Sequence, residues 1–343
     1  MTYITIGYGT AAPIHHAKFN NHHVKPAGII ETNVSKHAQI ESNGLRVCKS
    51  YEEAFQLRPL FWDICCPTDA HVQTIEKIVQ LDPSASILVE KPVCTYNEIE
   101  QLRQILKNFR GKLVVNENYL SSETTKRVKE VVEQSKLKIR KVYVEMDKNR
   151  TQDFRAGRFI DAKGAFYYEG THMVTILADI VREHQPSEQI TKKYEDIDID
   201  GKTLQKQGLA DIEYVAKNII INLFTSMKGD VKHSYSPHGV KNIPSDDKAT
   251  RYRITAVKGE DADGEKMTVV GFYEPINGCE RSQSAIAVLK KKQVTQYQGP
   301  FLDDTMGTHL KKAFDYFSGQ SDKNPCPVDE GIAIVNMMNT LSP

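Results

Sequence analysis

The run Tyr3-Ile4-Thr5-Ile6-Gly7-Tyr8-Gly9-Thr10-Ala11-Ala12 sets the architecture of the N-terminal half. Its start reads as a short apolar strand, and a helix opens directly behind the glycines, the context that a dinucleotide-binding turn needs. Gly7 permits the tight turn and Gly9 lets the backbone approach a pyrophosphate. Thr10 and Ala11 complete the loop at a helix N-terminus, where negative charge is favoured. Ala12 stands where a small residue lets helix and strand pack closely, and Pro13 suits a first helical turn because its missing N–H would be unpaired there. Many α/β proteins share one such glycine turn, so the strands and helices after it carry the weight.

Outward from this run, short apolar segments alternate with amphipathic helices, the pattern of a parallel α/β sheet. Segments 26–31, 61–67, 86–92 and 112–118 read as further strands, apolar on both faces as expected between helix layers. After Thr68 and Asp69, the residues Val72, Ile75, Ile78 and Val79 form one helical stripe. Thr95 and Glu98 make a capping box ahead of Ile99, Leu102, Ile105, Leu106 and Phe109. Glu31 ends the second strand about twenty residues after Gly9, where a carboxylate grips a ribose 2′-hydroxyl. That favours NAD, and a solvated strand-end acid is the alternative. Lys36 nearby keeps NADP open.

Three more strand ends belong to the same carboxyl edge. Cys66-Pro67-Thr68-Asp69-Ala70-His71 closes the central strand and caps a helix, which places Pro67 and Thr68 where ligands bind. His71 is either a cofactor contact or a surface histidine. Glu90-Lys91-Pro92 closes the next strand, and its proline stops the strand and fixes the lysine's direction. An ammonium there faces a nicotinamide, ready to polarise a carbonyl or to assist removal of a hydroxyl proton. Asn118, at the end of the last strand, joins Glu90 and Lys91 in the cofactor set, and Tyr119 beside it joins the substrate set.

Beyond residue 118 the character changes, with longer strand-like segments and few helices between them, which predicts a second domain on a mostly antiparallel sheet. One helix interrupts it, where Met173, Ile176, Leu177, Ile180 and Val181 recur at helical spacing. The polar stretches 182–207 and 236–250 read as surface insertions. Segments 307–319 and 327–341 read as closing helices. The expected division is a nucleotide-binding domain at 1–118, a substrate and oligomerisation domain at 119–326, and a C-terminal helix at 327–343 that packs back on the first.

The 343 residues include 45 Lys plus Arg against 44 Asp plus Glu, so no net field exists to hold a nucleic acid or an anionic membrane. The N-terminus lacks a basic leader and an apolar h-region, and no apolar run of membrane-spanning length occurs. A cytoplasmic protein with reduced cysteines is the expectation. The histidines His15, His16, His22 and His23 fit no metal-ligand spacing and no carboxylate or thiolate clusters with them, so no metal is expected.

Taken together, GYGTAA at 7–12, CPTDAH at 66–71, EKP at 90–92 and the Gly170-Thr171-His172 segment resemble the Gfo/Idh/MocA family of oxidoreductases over nearly the whole chain. The resemblance implies a Rossmann domain followed by a C-terminal α/β domain with a large open, mostly antiparallel sheet, which often serves as an oligomer interface, here a homodimer or homotetramer. It implies NAD-linked oxidation or reduction of one carbinol or keto carbon of a sugar, amino sugar or cyclitol. Lys91 matches the family's active-site lysine, and His172 the histidine of its D-x-G-x-H-x-x-D segment. Tyr168 and Thr175 stand where the family often has aspartates. Tyr167 or Tyr168 is therefore the expected proton donor, with Glu169 a weaker candidate, while Asp179 lies roughly 10 Å along the helix from His172. Arg150, Arg155, Arg158 and Lys163 gather ahead of this helix, either as a phosphate or carboxylate site or as a solvated basic loop. Tyr119, Arg155, Arg158, Tyr167 and Thr175 form the expected substrate set. A non-catalytic NAD-binding subunit and an NAD-dependent hydrolase or epimerase remain as rival readings.

Overall fold

The computed structural model describes residues 1–156, 164–235, 251–273 and 282–343. The chain divides into two compact units, one of Met1–Ser121 with Thr305–Asn336, the other of Ser122–Asp304 with Met337–Pro343. Among the described residues, no helix is long and apolar enough to cross a membrane.

The first unit follows β1 (Thr2–Ile6), α1 (Ala11–Asn20), β2 (Lys25–Ile30), α2 (His37–Ser42), α3 (Tyr51–Phe55), β3 (Phe61–Ile64), α4 (His71–Leu81), β4 (Ser86–Glu90), α5 (Ile99–Leu106) and β5 (Lys112–Asn116). Its five strands are parallel and ordered β2-β1-β3-β4-β5, so the switch point falls between β1 and β3, where the connections leave in opposite directions. Alternation along each strand fills both faces. Ile4, Ile6, Ile64, Ile87 and Val89 pack with Val72, Ile75 and Ile78 of α4 on one side, while Tyr3, Phe61, Leu88 and Val114 pack with Phe19 of α1 on the other. The buried stripe on α4 is the expected one, and Glu98 accepts from the Thr95 N–H at 2.9 Å as the capping box requires.

The second unit comprises α6 (Glu123–Gln134), β6 (Lys138–Lys148), α7 (Thr151–Arg155), α8 (Ala165–Ile180), β7 (Thr191–Ile199), β8 (Lys202–Ala216), β9 (Ile219–Ser226), β10 (Arg251–Glu260), β11 (Lys266–Phe272), β12 (Gln283–Lys290) and β13 (Gln293–Leu302). Its eight strands are ordered β13-β12-β11-β10-β6-β9-β8-β7, antiparallel except for β6 against β9. Much of the polar stretch 182–207 is strand, which corrects its reading as an insertion. Asp200 and Gly201 form the turn of a β7–β8 hairpin with φ of 53° and 79°, the Asp-Gly chemistry that a two-residue hairpin demands. The exposed strand β13 is likewise absent from the sequence reading, because its turn is built from Lys291 and Lys292 in the left-handed region rather than from Asn or Gly. The stretch 236–250 lies outside the described residues.

The expected boundary puts residues 305–326 in the second domain, but α9 (Thr305–Phe317) belongs to the first unit. The reason is coverage: Leu310, Ala313, Phe314 and Phe317 lie on the sheet face formed by Tyr3, Phe61, Leu88 and Val114. A parallel sheet needs both faces covered. In α10 (Val328–Leu341), Ile332 and Val335 enter the opposite face beside Val93 and Val115.

Candidate cofactor and active site

Every loop at the carboxyl edge of the first sheet starts from a strand that the core has fixed in place. Gly7 follows β1 with φ +85° and donates its N–H to the Ile30 carbonyl at 2.8 Å. A Cβ at Gly7 would sit 2.8 Å from the Cys66 backbone, so glycine is required here by conformation and by the crossing of the two loops. The carboxylate of Glu31 holds the next residues. Its Oε2 accepts from the Tyr8 N–H at 2.7 Å and its Oε1 from the Asn33 N–H at 2.8 Å. Lys36 lies 3.8 Å from Glu31 and donates to the Tyr8 carbonyl at 3.1 Å, so the basic side chain that kept NADP open stands at the loop itself.

The edge fits a dinucleotide. A Cβ built on Gly9 meets nothing within 4 Å, so the space beside this backbone is open to a ligand. Thr10 caps α1 without a side-chain hydrogen bond, which leaves the first-turn N–H groups from Ala11 onward to an anion. Pro67 and Thr68 begin the 3-10 turn Thr68–Ala70 across the switch point. At the end of β5, the buried amide oxygens of Asn116 and Asn118 lack a hydrogen-bond partner among the described residues, an acceptor pair suited to a carboxamide donor. Asn118 is itself anchored by donating to Thr305 Oγ1 at 2.9 Å, and Tyr119 beside it is buried.

His71 is neither a surface histidine nor an available ligand. It is 1 % exposed, with Nε2 against the Cys66 carbonyl at 2.9 Å and Nδ1 against the Pro92 carbonyl at 3.0 Å, so it pins two loops of the edge together. Burial lowers its pKa against the pull of those carbonyls.

Beneath the edge lies a group that sequence reasoning missed. His15 is fully buried on the inner stripe of α1 with Ala12 and Phe19. Its Nδ1 meets Asp63 at 3.0 and 3.2 Å, and its Nε2 meets Glu90 Oε1 at 2.9 Å. Asn116 Nδ2 donates to Glu90 Oε1 and lies 3.0 Å from His15 Nε2, and Cys65 Sγ lies 3.5 Å from Nδ1. The expectation that no carboxylate or thiol gathers at the histidines is thus corrected. The fold brings Asp63 and Cys65 to His15 with ligand-capable atoms within 4.8 Å of one another, arranged at hydrogen-bonding distances. One signal was available, since Asp63 stands inside a strand that is buried at every position, where a carboxylate persists only with a partner. Lys91 follows Glu90 directly in the chain, and its charge is among those that favour the Glu90 carboxylate.

In the second unit, Tyr168, His172, Thr175 and Asp179 share one stripe of α8, by the spacing of i, i+4, i+7 and i+11. Tyr168 and His172 are half-buried and Thr175 is fully buried. The rings of Tyr167 and Tyr168 meet edge to face at 5.7 Å. Neither nearby acid supplies the missing aspartate. Glu169 is 3 % exposed and held by the guanidiniums of Arg150 and, at 2.8 Å, of Arg253. Asp179 is paired with Lys129. Glu169 is thus the shared anionic partner of two guanidiniums. Arg155, expected at the substrate, makes an exposed two-pronged pair with Asp200 at 2.8 and 2.6 Å. Arg158 and Lys163 lie outside the described residues.

A family model described as "Oxidoreductase family, NAD-binding Rossmann fold" matches residues 1–117. No curated protein matches the chain. Among solved structures, an oxidoreductase from Agrobacterium radiobacter in complex with NAD+, L-tartaric acid and magnesium is 13% identical, with a TM-score of 0.73 over 99% of this chain and 94% of that one. The WlbA dehydrogenase from Bordetella pertussis in complex with NADH and UDP-GlcNAcA is 13% identical, with a TM-score of 0.69 over 99% and 95%. The UDP-N-acetylglucosamine 3-dehydrogenase GnnA from Acidithiobacillus ferrooxidans is also 13% identical, with a TM-score of 0.69 over 99% and 96%. At such identities the likeness is one of fold, and it extends over both units. Residues 1–117 thus match the NAD-binding Rossmann fold of the Gfo/Idh/MocA oxidoreductase family.

Proposed function

We propose that this protein is an NAD-dependent dehydrogenase or reductase acting on a secondary alcohol or ketone of a sugar, amino sugar or cyclitol, free, phosphorylated or nucleotide-linked. The observation that carries the reading is Lys91, a lysine at the carboxyl end of β4 in a sheet whose switch point bears an open glycine turn and an uncapped helix. NAD held at that edge supplies redox chemistry, taking hydride from or returning it to the substrate carbon. Gly9, Thr10 and Ala11 bind pyrophosphate through backbone N–H groups, and Glu31 accepts from a ribose hydroxyl with the lone pairs that Tyr8 and Asn33 leave over. Asn116 and Asn118 offer their amide oxygens to a carboxamide. Lys91 manages the proton: as an ammonium it donates toward a substrate carbonyl oxygen, and as an amine it accepts from a hydroxyl. His172 and Tyr168 are its assigned partners in moving that proton, and Tyr119 and Tyr167 are assigned to the sugar. The acidic ligands named with two of the similar structures support testing acidic sugars first.

NADH formation at 340 nm by NAD-supplemented protein, across sugars, uronic acids, nucleotide sugars and inositols, tests the reading, and turnover is the expected outcome. One observation favours a second reading: the stripe Tyr168, His172 and Thr175 carries no acid, and the acids nearest to it are held by cations. A non-catalytic NAD-binding subunit would bind NADH tightly and turn over none of the panel. A hydrolase or epimerase using transient oxidation would consume substrate without net NADH.

A further inference from the structure

We propose that His15 is the positioning residue of the edge: hydrogen-bonded through Nδ1 to Asp63 and through Nε2 to Glu90, it fixes the carboxylate that directly precedes Lys91 and so aims the lysine. The inference rests on the assignment of Lys91 to the proton.

Three strands and a helix meet at this ring. Asp63 comes from β3, Glu90 from the end of β4, Asn116 from the end of β5 and His15 from α1. Two carboxylates on opposite ring nitrogens can both be satisfied only if both nitrogens donate, which is the imidazolium form. Burial opposes that charge, but the Asp63 carboxylate hydrogen-bonded to Nδ1 outweighs it and holds the ring's pKa well above the ordinary histidine value. Burial pushes Cys65 upward too, which keeps it a neutral thiol, so the carboxylates are the anions that matter. Burial likewise opposes a charge on Glu90, and its bond to His15 outweighs that, so the carboxyl stands below its usual range. The other titratable groups around the ring are Tyr3 on β1, His16 on α1 and His309 on α9, each held neutral by burial as its main cause. Glu90 is 14 % exposed and His15 is not exposed, so the cation lies behind the carboxylate, out of reach of substrate. A group placed so acts through its neighbour rather than on the reacting atoms.

The two amide replacements separate the ring's ends. Gln places its amide N–H₂ near the Nε2 position and keeps a donor for Glu90, whereas Asn places it near Nδ1 and keeps only the donor for Asp63. The test uses the full chain without substrate. Nitrogen NMR of the His15 ring is read first, then carboxyl-carbon NMR of Glu90 (assigned with Glu90→Gln), then the dimethyl-lysine signal of Lys91 (assigned with Lys91→Arg). We expect both ring nitrogens protonated at neutral pH. His15→Asn should raise the Glu90 midpoint by about one unit or more and displace the Lys91 signal, while His15→Gln leaves both near the parent values. A neutral ring at neutral pH, or an undisturbed Lys91 signal in His15→Asn, overturns the proposal. If neither His15 variant folds, Glu90→Gln decides: an unmoved Lys91 signal overturns the proposal and a displaced one supports it. Normal turnover by Lys91→Ala would instead overturn the catalytic reading of the lysine and leave these signals as they are, so the two failures are distinguishable.

Discussion

At the scale of single residues, the assignments rest on where strand ends put side chains. Lys91 is the group on which the enzymatic reading depends, because moving hydride without a proton partner leaves an unstabilised alkoxide. A positioned acid or base is worth about 10²–10⁴ in rate, so Lys91→Ala should lose at least the lower figure in kcat while NADH affinity, read by fluorescence titration, barely moves. His172→Ala should lose as much or less, since Tyr167 or Tyr168 can share the proton. Glu31 supports a second expectation. Its carboxylate would repel a 2′-phosphate, so titration with both reduced cofactors should show NADH bound more tightly than NADPH, and Glu31→Ala should narrow the gap. Tighter NADPH binding by the parent protein would count against it, and Lys36, which touches the same loop, is where the reversal would be sought.

At the scale of elements, the glycine turn and the loop after β3 must fit each other. Gly7 combines a φ of +85° with a 2.8 Å approach to the Cys66 backbone, so an added methyl group meets atoms that cannot swing aside. Left-handed strain alone costs about 1–3 kcal/mol, and Gly7→Ala should lower stability in chemical denaturation by at least that and weaken NADH binding together with it. An alanine protein of parent stability would show that the turn relaxes more easily than its packing suggests. Helix α9 supports a pH expectation. His309 is buried with Nε2 donating to the Val115 carbonyl at 2.9 Å and Nδ1 accepting from Ser121 Oγ at 3.0 Å, a fully satisfied neutral imidazole. Burial pushes its pKa down to about 4 from 6.5. A base with a depressed folded pKa takes its proton first in the unfolded chain, so stability falls as pH drops from about 6.5 toward 4, by about 3 kcal/mol for this residue. His309→Gln should flatten that slope in urea melts across the same window, and an unchanged slope would place the acid sensitivity elsewhere.

At the scale of the whole molecule, α6 and α8 lie against the eight-stranded sheet. Across the sheet, Tyr252, Ile254, Val270 and Phe272 are met, among the described residues, by Val231 and Tyr235 rather than by a helix. An apolar sheet face that no described helix covers is a surface suited to association between copies of a chain. We expect light scattering to report a dimer or tetramer, and a monomer at micromolar concentration would refute it.

The sequence by itself determined the βα alternation, the glycine turn, the strand-end lysine and the change to long strands after residue 118, because periodicity, capping and turn chemistry act over a few neighbouring residues. Tertiary structure alone decided which distant residues meet. His15, Asp63, Glu90 and Asn116 are far apart in the chain, and only the parallel order of β3, β4 and β5 beneath α1 lets two carboxylates share one buried ring. The placement of α9 was likewise a matter of coverage, since its apolar stripe suits any bare face and only the sheet shows which face was bare. The roles of Arg155 and Glu169 turned on their partners Asp200, Arg150 and Arg253, because a charged side chain's function is set by the charge it meets, and that meeting is a property of the fold.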